Sequence, residues 1–250
     1  MRGFASVNPR GRKREAMIDR RTNDAEFYRR WIVANGWAEA AGLGGTFAIG
    51  GLLASSINRV TGPGAILAGA LVAIALGTLL EGVVVGAAQA GVLHHRLHSL
   101  PRRAWVTASA IGAGLAWTIG LLPSTLMALA GHDAGAASAP VEPSPLVKYL
   151  LAAALGAVTG PILGLAQWTV LRHRVRHAAR WLAANAGAWA VGMVLVFSGM
   201  DVVPWTLGPI AVVPSIGLVC LATGLAVGAI HGRTLLWLTR LTEPPVFSPG

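Results

Sequence analysis

Apolar runs of about 18 residues or more, the length a helix needs to cross a bilayer, recur six times along this chain. They fall at Trp31–Ile57, Ile66–Leu93, Trp105–Leu122, Val147–Leu171, Trp181–Met200 and Ser215–Leu238. The residue content is of the same kind. The 250 residues are 54% hydrophobic and 12% charged, with 32 glycines. A soluble domain carries roughly 25% charged residues. Mean hydropathy is +0.60. The expected fold class is therefore an all-α membrane protein with six transmembrane helices. The single cysteine, Cys220, excludes an internal disulfide and a cysteine-based metal cluster. It sits in an apolar run, as a small hydrophobe would.

The net charge of +10 would suggest nucleic acid in a soluble chain. Here the charges alternate in space. Of the 20 Lys and Arg residues, all but Arg59 and Lys148 fall in the N-terminal segment, in the loops "HHRLHSLPRRA" and "RHRVRHAAR", or at the C-terminal end. By the positive-inside rule these segments face the cytoplasm, and both termini with them. The opposite loops hold Asp133, Glu142 and Asp201, with Trp205 as an interfacial anchor. The basicity thus reads as orientation and as attraction to anionic lipid headgroups at the cytoplasmic face, not as nucleic-acid binding. The organisation is a basic tail over 1–30, a transmembrane domain over 31–240 and a short tail over 241–250. The tail is too long and too basic for the first span to be a cleaved signal.

Two motifs recur. "EGVVVGAAQ", "TGPILGLAQ" and "TGLAVGAIH" each read Glu/Thr-Gly-x-x-x-Gly-x-x-Gln/His. The preceding span opens with "WIVAN", "WVTAS" or "WLAAN", whose tryptophans Trp31, Trp105 and Trp181 are 74 and 76 residues apart. The pattern predicts three tandem two-helix repeats, near 31–98, 105–178 and 181–240, in a pseudo-threefold bundle. Glycines four apart share a helix face and let another backbone approach. Gly82, Gly86, Gly160, Gly164, Gly224 and Gly228 are the expected packing residues. Gln89, Gln167 and His231 fall near the inner ends of their helices. Asn35, Ser109 and Asn185 follow a Trp at that same end, so the six are expected to form a polar ring.

The segment "GLAQWTVLRHRVRHAARWLAANAGAWAVG" resembles a repeated Gly-x-x-Gln-Trp-x-Val-Leu-Arg … Trp-x-x-Ala-Asn element of polytopic bacterial membrane proteins of uncharacterised activity. The resemblance is carried by Gly164, Gln167, Trp168, Val170, Leu171, Arg172, Trp181, Ala184 and Asn185. It weakens in the first unit, with Ala90 and His94 in place of Trp and Arg, and in the last. It implies a multi-pass protein of the bacterial inner membrane and no particular activity. Mitochondrial carriers also have three two-helix repeats, but their Pro-x-Asp/Glu-x-x-Lys/Arg motif is absent from the odd helices.

Glu39 and Glu81 are the carboxylates that fall within spans, and ionisable groups there are costly and often functional. Glu39 shares a helix face with Trp31 and Asn35. Glu81 lies about 18 Å from the inner end of its helix, near mid-membrane. Either residue fits a proton or cation relay, or a structural hydrogen bond. His231 fits a partner for Glu39, or a substitute for the glutamines at the equivalent positions. One intramembrane His does not bind haem. His94 and His98 are spaced like a metal pair but have no carboxylate or cysteine beside them. Nucleophile-elbow, Walker and zinc-protease motifs are absent. No catalytic residue, cofactor or metal is expected. The chain reads as a non-enzymatic membrane scaffold or a binder of another membrane protein. The alternative is a small-solute or ion transporter that uses the polar ring and the two glutamates.

Overall fold

A computed structural model describes residues 9–57, 62–133 and 143–241. Among these residues the chain is helical, with no strand. The helices are α1 (Pro9–Ile57), α2 (Pro63–Leu93), α3 (Arg102–Asp133), α4 (Pro145–Leu171), α5 (Arg180–Asp201) and α6 (Pro209–Arg240). Pro63, Pro145 and Pro209 each begin a helix. The first helical position suits proline because its missing N–H would have no partner there anyway. A short 3₁₀ turn, Trp205–Leu207, precedes α6. Gly208 then turns the chain with φ 77°, a conformation open to glycine at no steric cost.

Five helices, α2 to α6, are long and apolar enough to cross a membrane. Over its described residues α1 is not among them. Its C-terminal half carries Asn35, Glu39 and Thr46 among small residues, and all three are buried against neighbouring helices.

The helices also run further than the apolar pattern marks. α1 begins at Pro9, so residues 9–30 are helix continuous with the first span. Asp24 and Phe27 of this extension are buried. α3 continues past Leu122, through Pro123, to Asp133. α6 begins six residues before Ser215, with Pro214 inside it. Prolines read as stops because they lack an N–H, yet membrane helices accept them where neighbouring groups satisfy the freed carbonyls. The expected C-terminal tail lies, but for Leu241, outside the described residues, as does Glu142.

Each helix packs on its neighbours in the chain, and α6 packs on α1, so the six form a closed circuit. Burial is inverted relative to a soluble protein. Leu71, Met127, Leu150 and Ile210 point outward, at 67, 70, 61 and 93% exposure, whereas Asn35, Gln167 and Asn185 are at 1% or below. In lipid the outer surface is the apolar one, and polar groups must find partners inside.

The two ends of the circuit differ. At one end Trp31, Trp105 and Trp181 meet Leu93, Leu171 and Leu235 in a fully buried cluster. The turns after α2 and α4 add Leu97, Leu100 and Val175 to it. Exposed arginines Arg102, Arg103, Arg172, Arg174, Arg176 and Arg180 surround this end. At the opposite end Lys148 of α4 holds the Asp201 carboxylate of α5 at 2.7 Å, and the Tyr149 hydroxyl donates to it at 2.8 Å.

Candidate functional site

The glycines bring the polar residues together. Gly224 and Gly228 of α6 face α1 at Asn35: a Cβ built on Gly224 would lie 2.5 Å from the Asn35 carbonyl oxygen, and one on Gly228 would lie 3.0 Å from Asn35 Cβ. Gly160 and Gly164 of α4 stand in the same relation to Asn185 of α5. Gly82 and Gly86 of α2 stand so to Ser109 of α3, with 3.2 Å to its carbonyl oxygen and 2.7 Å to its Cβ. No side chain fits at the closest of these points, so glycine is what lets the backbones approach.

With the backbones this close, one turn separates each glycine pair from a buried hydrogen bond. The Trp105 indole N–H donates to Gln89 Oε1 at 3.2 Å, and that of Trp181 donates to Gln167 Oε1 at 2.9 Å. The indole of Trp31 donates to His231 Nδ1 at 3.0 Å. An indole can only donate, so Nδ1 accepts and the imidazole carries its proton on Nε2. Of the two roles open to His231, the one seen is that of the glutamines at the equivalent positions: Trp31, not Glu39, takes the ring nitrogen facing α1. The amides then link across the axis. Gln89 donates to Asn35 Oδ1 at 2.9 Å, and Gln167 donates to Gln89 Oε1 at 3.0 Å and to Ser109 Oγ at 2.9 Å. Asn35 and Asn185 each return an N–H to the carbonyl of the Trp one turn before, at 2.8 Å. The three indoles and His231 pack edge to face or tilted, with ring centroids 5.1–6.2 Å apart.

The structure thus joins six of the eight candidate polar residues in one layer and leaves Glu39 and Glu81 outward of it. Glu81 lies in a π-helical segment of α2, Gly77–Gly82. Such a segment widens the turn and re-aims the side chain within it. Trp117 of α3 packs against Gly77 and donates its indole N–H to Glu81 Oε2 at 2.7 Å. Glu39 is 1% exposed and packs by its Cβ and Cγ on Gly224, while its Oε2 has no hydrogen-bond partner among the described residues. The two carboxyl groups are within electrostatic reach of each other.

Beside Glu81 lies a cavity of about 320 Å³ walled by α1 to α5. Phe47, Trp117, Trp189 and Phe197 supply aromatic surface, and Leu43 and Met193 aliphatic surface.

Three features carry little sequence signal. The π segment has only Gly77 to mark it. Trp117 is 36 residues from Glu81. Asp24, buried at the arginine-rich end, ion-pairs with Arg96 at 2.6 Å and with Arg240 at 2.7 Å, tying α1 to the α2–α3 turn and to the end of α6. In that turn His94 and His98 contact each other at 5.6 Å between centroids. Partial burial, and then Arg102, His98 and His95, hold the His94 imidazole below its ordinary pKa of 6.5.

No protein-family model, curated protein or solved structure matches the chain.

Proposed function

We propose that the chain is a non-enzymatic, multi-pass protein of the bacterial inner membrane that serves as a scaffold or binds another membrane protein. In this reading it has six spans and both termini cytoplasmic. It is built from three tandem two-helix units around a pseudo-threefold axis. The single observation that carries it is the closed layer of Trp31, Trp105, Trp181, Asn35, Gln89, Ser109, Gln167, Asn185 and His231. A transport path needs polar groups with spare valence facing a water-filled passage. In this layer the polar groups bond to one another, to indoles and to the backbone carbonyls of Trp31 and Trp181, and the residues are at most 3% exposed. The layer is a seal and a clamp.

The recurrence of the Trp-to-Gln/His bond and of the glycine contacts supports the three-unit plan. The charge asymmetry supports the orientation, and the ring of exposed arginines supports contact with anionic headgroups. α1 counts as the sixth span because its polar face is covered by α6 and α2.

A second reading, a small-solute or ion transporter, is favoured by the cavity bordered by Glu81. Proteoliposomes separate the two. The scaffold reading expects proton and cation flux no greater than in empty vesicles, and ring substitutions such as Gln167→Leu that lower the melting temperature. Flux through the wild-type protein that Glu39→Gln or Glu81→Gln abolishes at unchanged stability overturns it in favour of transport.

A further inference from the structure

The cavity beside Glu81 lies outward of the sealed layer. Its lining residues Leu43, Ala113 and Trp189 are 8–12 residues from Trp31, Trp105 and Trp181 along their helices, roughly 12–18 Å at the helical rise. Its volume is at the lower end of small-molecule sites, about 300–1,000 Å³. Among the described residues that line it, Glu81 is the one ionisable group. The hydroxyl groups on the wall spend their protons on backbone carbonyls. Thr159 donates to the Leu155 carbonyl at 2.9 Å, and Ser124 donates to that of Leu121 at 2.9 Å. Glu81 is different. Trp117 holds Oε2, and among the described residues Oε1 has no donor, although the side chain is 8% exposed.

A carboxylate edge in an apolar, aromatic chamber selects by charge and by shape. An anion is repelled. A bare metal ion needs several oxygen ligands, and among the described residues no group of three His, Cys, Asp or Glu is placed to hold one. A neutral apolar molecule leaves the carboxyl unmatched. An organic cation with apolar substituents meets every wall: the carboxylate neutralises its charge, and the aromatic rings of Trp117, Trp189 and Phe47 offer cation–π attraction and apolar contact. We infer that this cavity is a binding site for a small lipophilic organic cation, an alkyl- or aryl-substituted ammonium, with Glu81 as its counter-ion. The site is separate from the polar layer and does not depend on whether that layer conducts.

Calorimetric titration of the full chain in lipid nanodiscs tests the assignment. The probes are benzyltrimethylammonium and its uncharged carbon isostere, neopentylbenzene. The wild type is expected to bind the cation at least tenfold more tightly than the isostere. Glu81→Gln, which keeps an acceptor for Trp117, is expected to lose that preference while still binding the isostere. Glu39→Gln, outside the lining, is expected to keep it. Gly120→Leu is the second variant. A Cβ at Gly120 comes no nearer than 4.0 Å to Leu155, so the position has room for a side chain, and leucine there is expected to occupy the cavity and abolish binding of both probes. Equal affinity of the wild type for the two probes, binding of neither, a preference that survives Glu81→Gln, or cation binding that survives Gly120→Leu would each overturn the inference.

Discussion

The indole N–H of Trp31 donates to Nδ1 of His231, 3.0 Å away and 200 residues further along the chain. With Tyr28 to the Ala229 carbonyl and Arg240 to Asp24, it closes the last helix onto the first, and it occupies the place held by Trp105 with Gln89 and by Trp181 with Gln167. Histidine and glutamine are unlike residues, but each presents an acceptor at the same reach. His231→Gln is therefore expected to leave thermal stability in detergent close to wild type. His231→Leu strands the Trp31 donor. Side-chain hydrogen bonds inside membrane proteins average about 0.6 kcal/mol and reach about 1.7 kcal/mol. Melting curves that rank His231→Gln below His231→Leu would show that the acceptor is not what position 231 supplies.

The glycine faces are expected to differ in tolerance by distance. A Cβ at Gly160 runs into the carbonyl oxygen of Asn185, which is backbone and cannot step aside. One at Gly164 meets Asn185 Cβ at 3.2 Å, a contact that a small shift relieves. Gly187 has nothing within 4 Å. Gly160→Ala is expected to cost about 1–3 kcal/mol, as overpacking does. Gly164→Ala is expected to cost less. Gly187→Ala is expected to be neutral or to gain up to about 1 kcal/mol from helix propensity. Denaturation of the three variants side by side checks the order.

Orientation is expected to follow the arginines. In a Cys220→Ala background, Ser99→Cys sits in the α2–α3 turn and Thr206→Cys in the 3₁₀ turn before α6, and both positions are exposed. A membrane-impermeant maleimide added to intact cells is expected to label Thr206→Cys alone. Labelling of Ser99→Cys alone would invert the topology.

His94 is expected to titrate below 6.5, the direction that partial burial and its cationic neighbours impose. Lowered in the folded state, it takes up its proton less readily than in the unfolded chain. Its contribution to stability is complete above about pH 6.5 and is lost as the pH falls through the folded value. NMR of protein carrying ¹³C-labelled histidine, with His94→Asn to assign the resonance, reads the midpoint directly; a midpoint above 6.5 would contradict the placement of Arg102 and His95 beside it.

The apolar runs and the glycine register were legible because each depends on residue type alone. Lipid exposure demands apolar side chains, and close backbones demand glycine. The same register placed Gln89 and Gln167 at one depth. Their partners were not legible, because an indole donor and an amide acceptor from different helices leave no spacing rule in one chain. The π segment leaves no mark for a related reason: "GTLLEG" is ordinary helix sequence, and Trp117 of α3 packs directly on Gly77 where the turn widens. The apolar runs as marked stop at Leu122 and start at Ser215, beside Pro123 and Pro214, yet the helices continue through both prolines.

Closure between the first and last helices has a consequence in time. α1 and α6 share the most extensive of the helix–helix contacts, and the buried Asn35 and Glu39 of α1 lie directly against Gly224 of α6. During synthesis at about 5–20 residues per second, the 200 residues between Trp31 and His231 take about 10–40 s to emerge. For that interval Asn35 and Glu39 have no α6 to cover them. The nascent protein must spend it with α1 sheltered, by α2 or by the insertion machinery, and a ribosome stalled before Thr223 would leave the polar face of its first helix open to capture and degradation.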